Sequence, residues 1–111
     1  MSKQIIFEHD EKKYTLEYTL RTAGIAERNG LNIFELDSKP GTMIPLLVNG
    51  AFQRHHKGMT RKQTDEIYQE IKKKNDFLNA LSEMYLDAVN ALVDTDDIDD
   101  ADEGNANWTL T

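Results

Sequence analysis

The chain has 111 residues, no cysteine and a formal net charge of −7. That length suits one domain with a single core, and the missing cysteine excludes disulfides and thiolate metal sites. All the excess charge sits in residues 94–111, where Asp94, Asp96, Asp97, Asp99, Asp100, Asp102 and Glu103 meet no base; residues 1–93 carry 13 acids and 13 bases. The body is therefore neutral, unlike the basic surface that a nucleic-acid binder uses.

The first thirteen residues, MSKQIIFEHDEKK, read as neither a signal peptide nor a transit peptide. No apolar run approaches the roughly 20 residues of a membrane span, so a cytoplasmic protein is expected. Tyr14, Leu16 and Tyr18 then alternate with Thr15, Glu17 and Thr19, the period of a half-buried strand. Ile5 and Phe7 offer a matching face before it, with Ile6 on the other side, and Asp10, Glu11 and Lys12 turn the chain between. A lone hairpin is marginal in water, so this one must lie on something.

Thr19 or Thr22 caps a short helix running to about Asn29, and Gly30 suits the left-handed position that ends it. Residues 32–36 read equally as a helical turn or a short strand. A loop follows over residues 37–41. Thr42 is the expected cap of the next helix, with Pro45 in its first turn, where a missing N–H costs little. Met43, Ile44, Leu46, Leu47, Val48, Ala51 and Phe52 cover most of its circumference, which predicts a central, buried helix. Gly50 weakens that helix, and close approach of a neighbour is a reason for it to be there. The helix runs out in Gln53, Arg54, His55, His56 and Lys57.

Thr60 and Gln63 fit a capping box. Beyond it two readings stand. In one, a helix runs through Lys74, the chain breaks near Asn75, and Asp76 caps a second helix carrying Phe77, Leu78, Leu81, Met84, Tyr85, Ala88, Val89 and Leu92. In the other, Ile67, Ile71, Lys74, Leu78, Leu81, Tyr85, Ala88 and Leu92 form a heptad seam on one helix over residues 60–92, about 50 Å long. From Asp94 the apolar pattern dissolves, and so acidic a segment is expected to be disordered. The fold expected is α+β, mostly α: an N-terminal two-stranded β-hairpin packed on about four helices within residues 1–93, then a disordered acidic tail over 94–111. Leu47, Val48, Phe52, Leu81 and Tyr85 should share one cluster with Tyr14 and Leu16.

The chemistry sought in the residues is missing. Adjacent histidines on a helix point about 100° apart, so His55 and His56 do not converge on a metal, and His9 is remote; all three are expected to be solvated. The acidic run fits no calcium loop in any register. Ser2, Ser38 and Ser82 stand in no nucleophile elbow, and the six glycines make no phosphate loop. Pairs such as Asp65 and Glu66 read as a solvated helical face. These features describe a non-catalytic protein without metal or cofactor.

The layout carried by IIFEHDEKKYTLEYTLRTAGIAE and IPLLVNGAFQRHHKGMTRKQTDEIYQEI, with the amphipathic stretch after them, spans roughly residues 4–92. It resembles the tail assembly chaperones of long-tailed phages and prophages of Gram-positive bacteria. The resemblance implies a protein that coats the tape-measure protein, keeps its helices soluble and helps bring tail tube subunits to it. Such a protein acts in the bacterial cytoplasm and is absent from the finished virion, and many are also made in a longer, frameshifted form. No site residues carry over. The other reading is an acidic interaction protein that mimics nucleic acid and inhibits a host protein, against which the neutral body counts. For the chaperone reading, the stripe over residues 76–92 holds more apolar positions than one side of a small core needs. Phe77, Met84 and Val89 are therefore expected to be exposed and to bind the tape-measure protein or another copy of the chain.

Overall fold

Residues 3–93 and 109–110 are described by a computed structural model. Two antiparallel strands open it, β1 (Ile5–His9) and β2 (Lys12–Leu16), joined by a two-residue turn. Asp10 and Glu11 both take positive φ, 52° and 65°, the left-handed pair that lets so short a loop follow the twist of its strands. Lys12 is thus a strand residue, paired with His9. The register sets Ile5 opposite Leu16 and Phe7 opposite Tyr14. Leu16 and Tyr14 are buried, Ile5 and Phe7 pack against them, and Ile6 faces out on the other side.

The expected Thr19 cap opens α1 (Leu20–Arg28), where Thr19 and Thr22 satisfy each other's backbone N–H groups. Gly30 ends the segment at φ 113°. Residues 33–35 resolve the open choice as one 3₁₀ turn, capped by the Asn32 side chain.

The central helix α2 (Pro40–Phe52) begins two residues before the expected Thr42 cap. Proline has the fixed φ of a first helical residue and keeps the residue before it out of helical conformation; Lys39 sits accordingly at φ −133°, ψ 57°. Pro45 consequently lies in the helix interior and leaves the Gly41 carbonyl without its i+4 donor. Gly41 is exposed, so water can serve that carbonyl. Met43, Leu46, Leu47, Val48, Ala51 and Phe52 are all buried, and α2 touches β2, α1, the 3₁₀ turn and both later helices.

Thr60 and Gln63 form the expected box at the head of α3 (Arg61–Gln69). That helix stops five residues short of Lys74. Lys74 donates from Nζ to the carbonyls of Gln69 and Ile71, at 2.9 and 2.8 Å, and Lys73 turns left-handed at φ 56°. The chain restarts as α4 (Lys74–Asn90), with Asp76 in its first turn rather than at its cap. Residues 60–92 are two helices, and the lysine that interrupts the heptad seam is where the seam breaks. The expected cluster is present: Tyr14, Leu16, Leu47, Val48, Phe52, Leu81 and Tyr85 are buried together. The expectation for residues 94–108 lies outside the described residues. Among the described residues no helix is long and apolar enough to cross a membrane.

Two glycines separate propensity from packing. A Cβ on Gly50 would fall on the Tyr18 hydroxyl oxygen and stand 3.2 Å from Ala26 Cβ; one on Gly24, inside α1, would meet nothing within 4 Å. Thermal and urea unfolding of Gly24→Ala should show a gain of roughly 0.5–1 kcal/mol. Gly50→Ala should lose about 1–3 kcal/mol by overpacking, although the same helical propensity is gained. Equal effects at both sites would remove close approach as the reason for Gly50.

Candidate functional site

The histidines after α2 make specific contacts, His56 half-buried and His55 still exposed to solvent. His56 Nε2 accepts the Thr15 backbone N–H at 3.0 Å, filling a place on the open edge of β2, and its ring lies 5.1 Å from that of Tyr14. An accepting Nε2 places the neutral ring's proton on Nδ1. His55 Nε2 meets the buried Glu17 carboxylate at 2.7 Å, and Gln4 donates to the same oxygen at 3.1 Å. The Glu17 N–H reaches the Ala51 carbonyl at 3.0 Å. One short segment thus pins the hairpin to the end of α2 through main chain and side chains alike. His9 pairs with Glu70 across the gap between β1 and α3. Their positions explain the three rings without a metal, and among the described residues no three His, Cys, Asp or Glu side chains gather to hold one. A histidine beside a carboxylate is also a catalytic arrangement, but His55 and Glu17 line none of the grooves that follow.

Among the hollows of the described surface, three are grooves of about 350–490 Å³. One, about 370 Å³, lies where the last turns of α4 meet the head of α1; Leu20, Ala88 and Ala91 line it over Tyr18 and Met84. Lys3 and Asp87 stand on its rim, 3.4 Å apart, and Lys3 also pairs with Glu83. Leu92 and Val93 follow Ala91 at 68% and 62% exposure, and Leu20 is 42% exposed, so this corner is apolar and open. A second groove of about 350 Å³ runs between β1 and the head of α4, past Ile5, Phe7, His9, Glu70 and Phe77. The third, about 490 Å³, separates α1 from the end of α2 and is cationic, with Arg21, Arg54 and Lys57 on its walls.

The three residues expected to form a binding stripe do not share a surface. Phe77 is half-buried in an aromatic group, its ring 6.4 Å from Phe7 and 6.0 Å from Tyr68. Met84 is only 4% exposed and belongs to the core, forming the floor of the apolar corner rather than its surface. Val89 packs half-buried against the core. The stripe is wide because α4 is covered along different parts of its length by the hairpin, α1 and α2, which a periodicity taken against one flat neighbour does not distinguish. Of the exposed large apolar groups, Leu86 faces out from within α4 and Ile6 from β1, whereas Leu20, at the head of α1, and Leu92 and Val93, just past α4, lie where periodicity carries little information. Phe34 in the 3₁₀ turn is 90% exposed, and no pattern marks it out.

Tyr18, in the floor of the apolar corner, packs on Tyr85. Their rings meet edge to face at 5.5 Å; the Tyr18 hydroxyl donates to the Leu47 carbonyl at 2.6 Å and that of Tyr85 to the Glu27 carboxylate. Burial raises both phenols far above their ordinary range, Tyr85 also through the Glu27 hydrogen bond and charge, so both stay neutral donors.

A protein-family model matches residues 1–111, and the chain belongs to that family, described as Domain of unknown function (DUF5055). No curated protein and no solved structure matches the chain.

The histidines generate a pH prediction. Burial, then the charges of His55 and Lys12, lower the His56 pKa below 6.5; the hydrogen bond to Glu70 raises that of His9 above it. The stability that neutral His56 contributes is present above about 6.5 and lost as pH falls through its depressed value. The His9 contribution runs oppositely, present below about 6.5 and lost as pH rises through its raised value. Imidazole NMR titration should therefore find the His56 midpoint below that of His9. The reverse order would mean that His56 is not held against Thr15 in solution.

Proposed function

We propose that this chain is a non-catalytic phage tail assembly chaperone, which binds the tape-measure protein and assists tail tube assembly in the bacterial cytoplasm. The observation that carries this reading is the open apolar corner between α1 and α4. Leu20 and Ala91 are exposed on the walls of a shallow groove there, and the exposed Leu92 and Val93 follow Ala91 in the chain. A groove lined by leucine and alanine suits the apolar face of a client helix, whose side chains enter between small residues. Its rim carries Lys3 and Asp87, whose charges favour neither sign of client strongly. The layout of hairpin, capped helix and central apolar helix supports the same role through the resemblance described above. The client surface is thus the α1–α4 corner, in place of a stripe along α4.

Co-expression with a tape-measure protein from the same phage or prophage tests both the role and the surface. The wild type should keep that client soluble and co-purify with it. Ala91→Glu with Leu92→Glu adds charge at exposed positions and should abolish both effects while circular dichroism and the unfolding midpoint stay at wild-type values. A charge at Met84 should instead unfold the chain, because a buried unpaired charge costs several kcal/mol. A wild type that neither solubilises nor binds the client ends the chaperone reading; a doubly charged variant that still works leaves the role and removes the corner.

A further inference from the structure

We propose that the cationic groove between α1 and the end of α2 binds an acidic peptide segment, and that its occupant is this chain's own run of residues 94–103. Arg21, Arg54 and Lys57 line the groove, and Arg61 lines a hollow continuous with it through Thr22, Asn49 and Gln53. Among the described residues no aspartate or glutamate lines either. The ion pairs of the described residues involve Lys3, Lys39 and the histidines, and none of these four cations. Four positive side chains around one concavity, with no carboxylate among them, make a local field that a neutral body does not need for folding. The wall between them carries Ile25 and Met59, so an occupant with an apolar residue among its acids has a place for it.

The sequence supplies such an occupant. Residues 94–103 read DTDDIDDADE, seven acids around a single isoleucine. The described chain also delivers this run to the groove. Ala91 lies in the apolar corner with Thr19, and Thr19 lines the cationic groove as well. Asp94 is three residue steps beyond Ala91, a reach of about 10 Å, and the ten residues of the run can extend about 33–36 Å. A short tether holds a segment at effective concentrations in the millimolar range, so modest electrostatic affinity is enough to fill the groove. The acids outnumber the cations, so the run can exchange registers without leaving. An acidic partner would have to displace it, which makes the run a built-in competitor for its own groove. This site stands independently of the chaperone reading.

The test uses the full chain. With no native cysteine, Asn105→Cys takes a single nitroxide label, and paramagnetic broadening of backbone amides reports what lies near it. At about 0.01 M salt the amides of Arg21, Thr22, Arg54 and Lys57 should lose intensity several-fold relative to those of α3. At about 1 M salt, where the screening length falls from roughly 30 Å to 3 Å, the loss should vanish. Two variants should remove it separately: Arg21→Gln with Arg54→Gln and Lys57→Gln, and Asp96→Asn with Asp97→Asn, Asp99→Asn and Asp100→Asn, which leaves the body untouched. Broadening that misses the groove, or that survives either set of substitutions, overturns the proposal. So does broadening seen only when labelled chain is mixed with isotope-enriched, unlabelled-cysteine-free chain, since the occupant would then be a second copy.

Discussion

Everything in this fold is arranged around the crossing at Gly50. There the segment leaving β2 passes so close to α2 that a single methyl group has no room, and the Tyr18 hydroxyl reaches the Leu47 carbonyl instead. The contact fixes the height of the hairpin on α2, and with it the Glu17 N–H on Ala51 and the Thr15 N–H on His56. It also fixes α1, whose Ala26 lies against the same glycine, and α4, whose Tyr85 packs on the Tyr18 ring. A helix-weakening residue in the most buried helix is a local cost of about 1 kcal/mol. Here it permits four elements to meet at one point.

The second anchor is polar. A short stretch after α2 uses both of its histidines, one on a strand N–H and the other on a buried carboxylate. The edge of a two-stranded sheet exposes unpaired N–H groups that invite other chains. His56 answers one of them from within the molecule, so the ring closes part of the edge as well as packing on Tyr14 and Phe52.

Much of the architecture was legible because its signals are local. Alternation fixed which residues of the hairpin face inward, Thr19 and Thr60 announced their helices through side-chain chemistry, and the all-round apolarity of α2 marked it as central. The failures share a different cause. The start of α2 turned on Pro40 restraining Lys39, a constraint that a search for polar caps passes over. The fate of residues 70–74 turned on a lysine side chain folding back onto two carbonyls and on a left-handed backbone at Lys73, and neither has a periodic signature. The exposure expected of Phe77, Met84 and Val89 is missing for the same reason that Met84 looked attractive: an adaptable side chain on a wide apolar face serves a core touched from several directions as well as it serves a partner. The grooves themselves join residues from distant parts of the chain, such as Arg21 with Lys57, and no linear pattern brings those together.

The break at Lys73 separates two ways of arranging the same sequence. If that one residue straightened into helical conformation and Lys74 released its carbonyls, α3 and α4 would fuse into the single rod that the heptad spacing describes. Helix α4 would then leave its place beside α1 and α2, and an identical vacancy in a neighbouring molecule would accept it. Such an exchange is domain swapping, in which a hinge converts intramolecular packing into an intertwined dimer with nearly the same contacts. What stands between the two arrangements is a left-handed lysine and its neighbour's ammonium group.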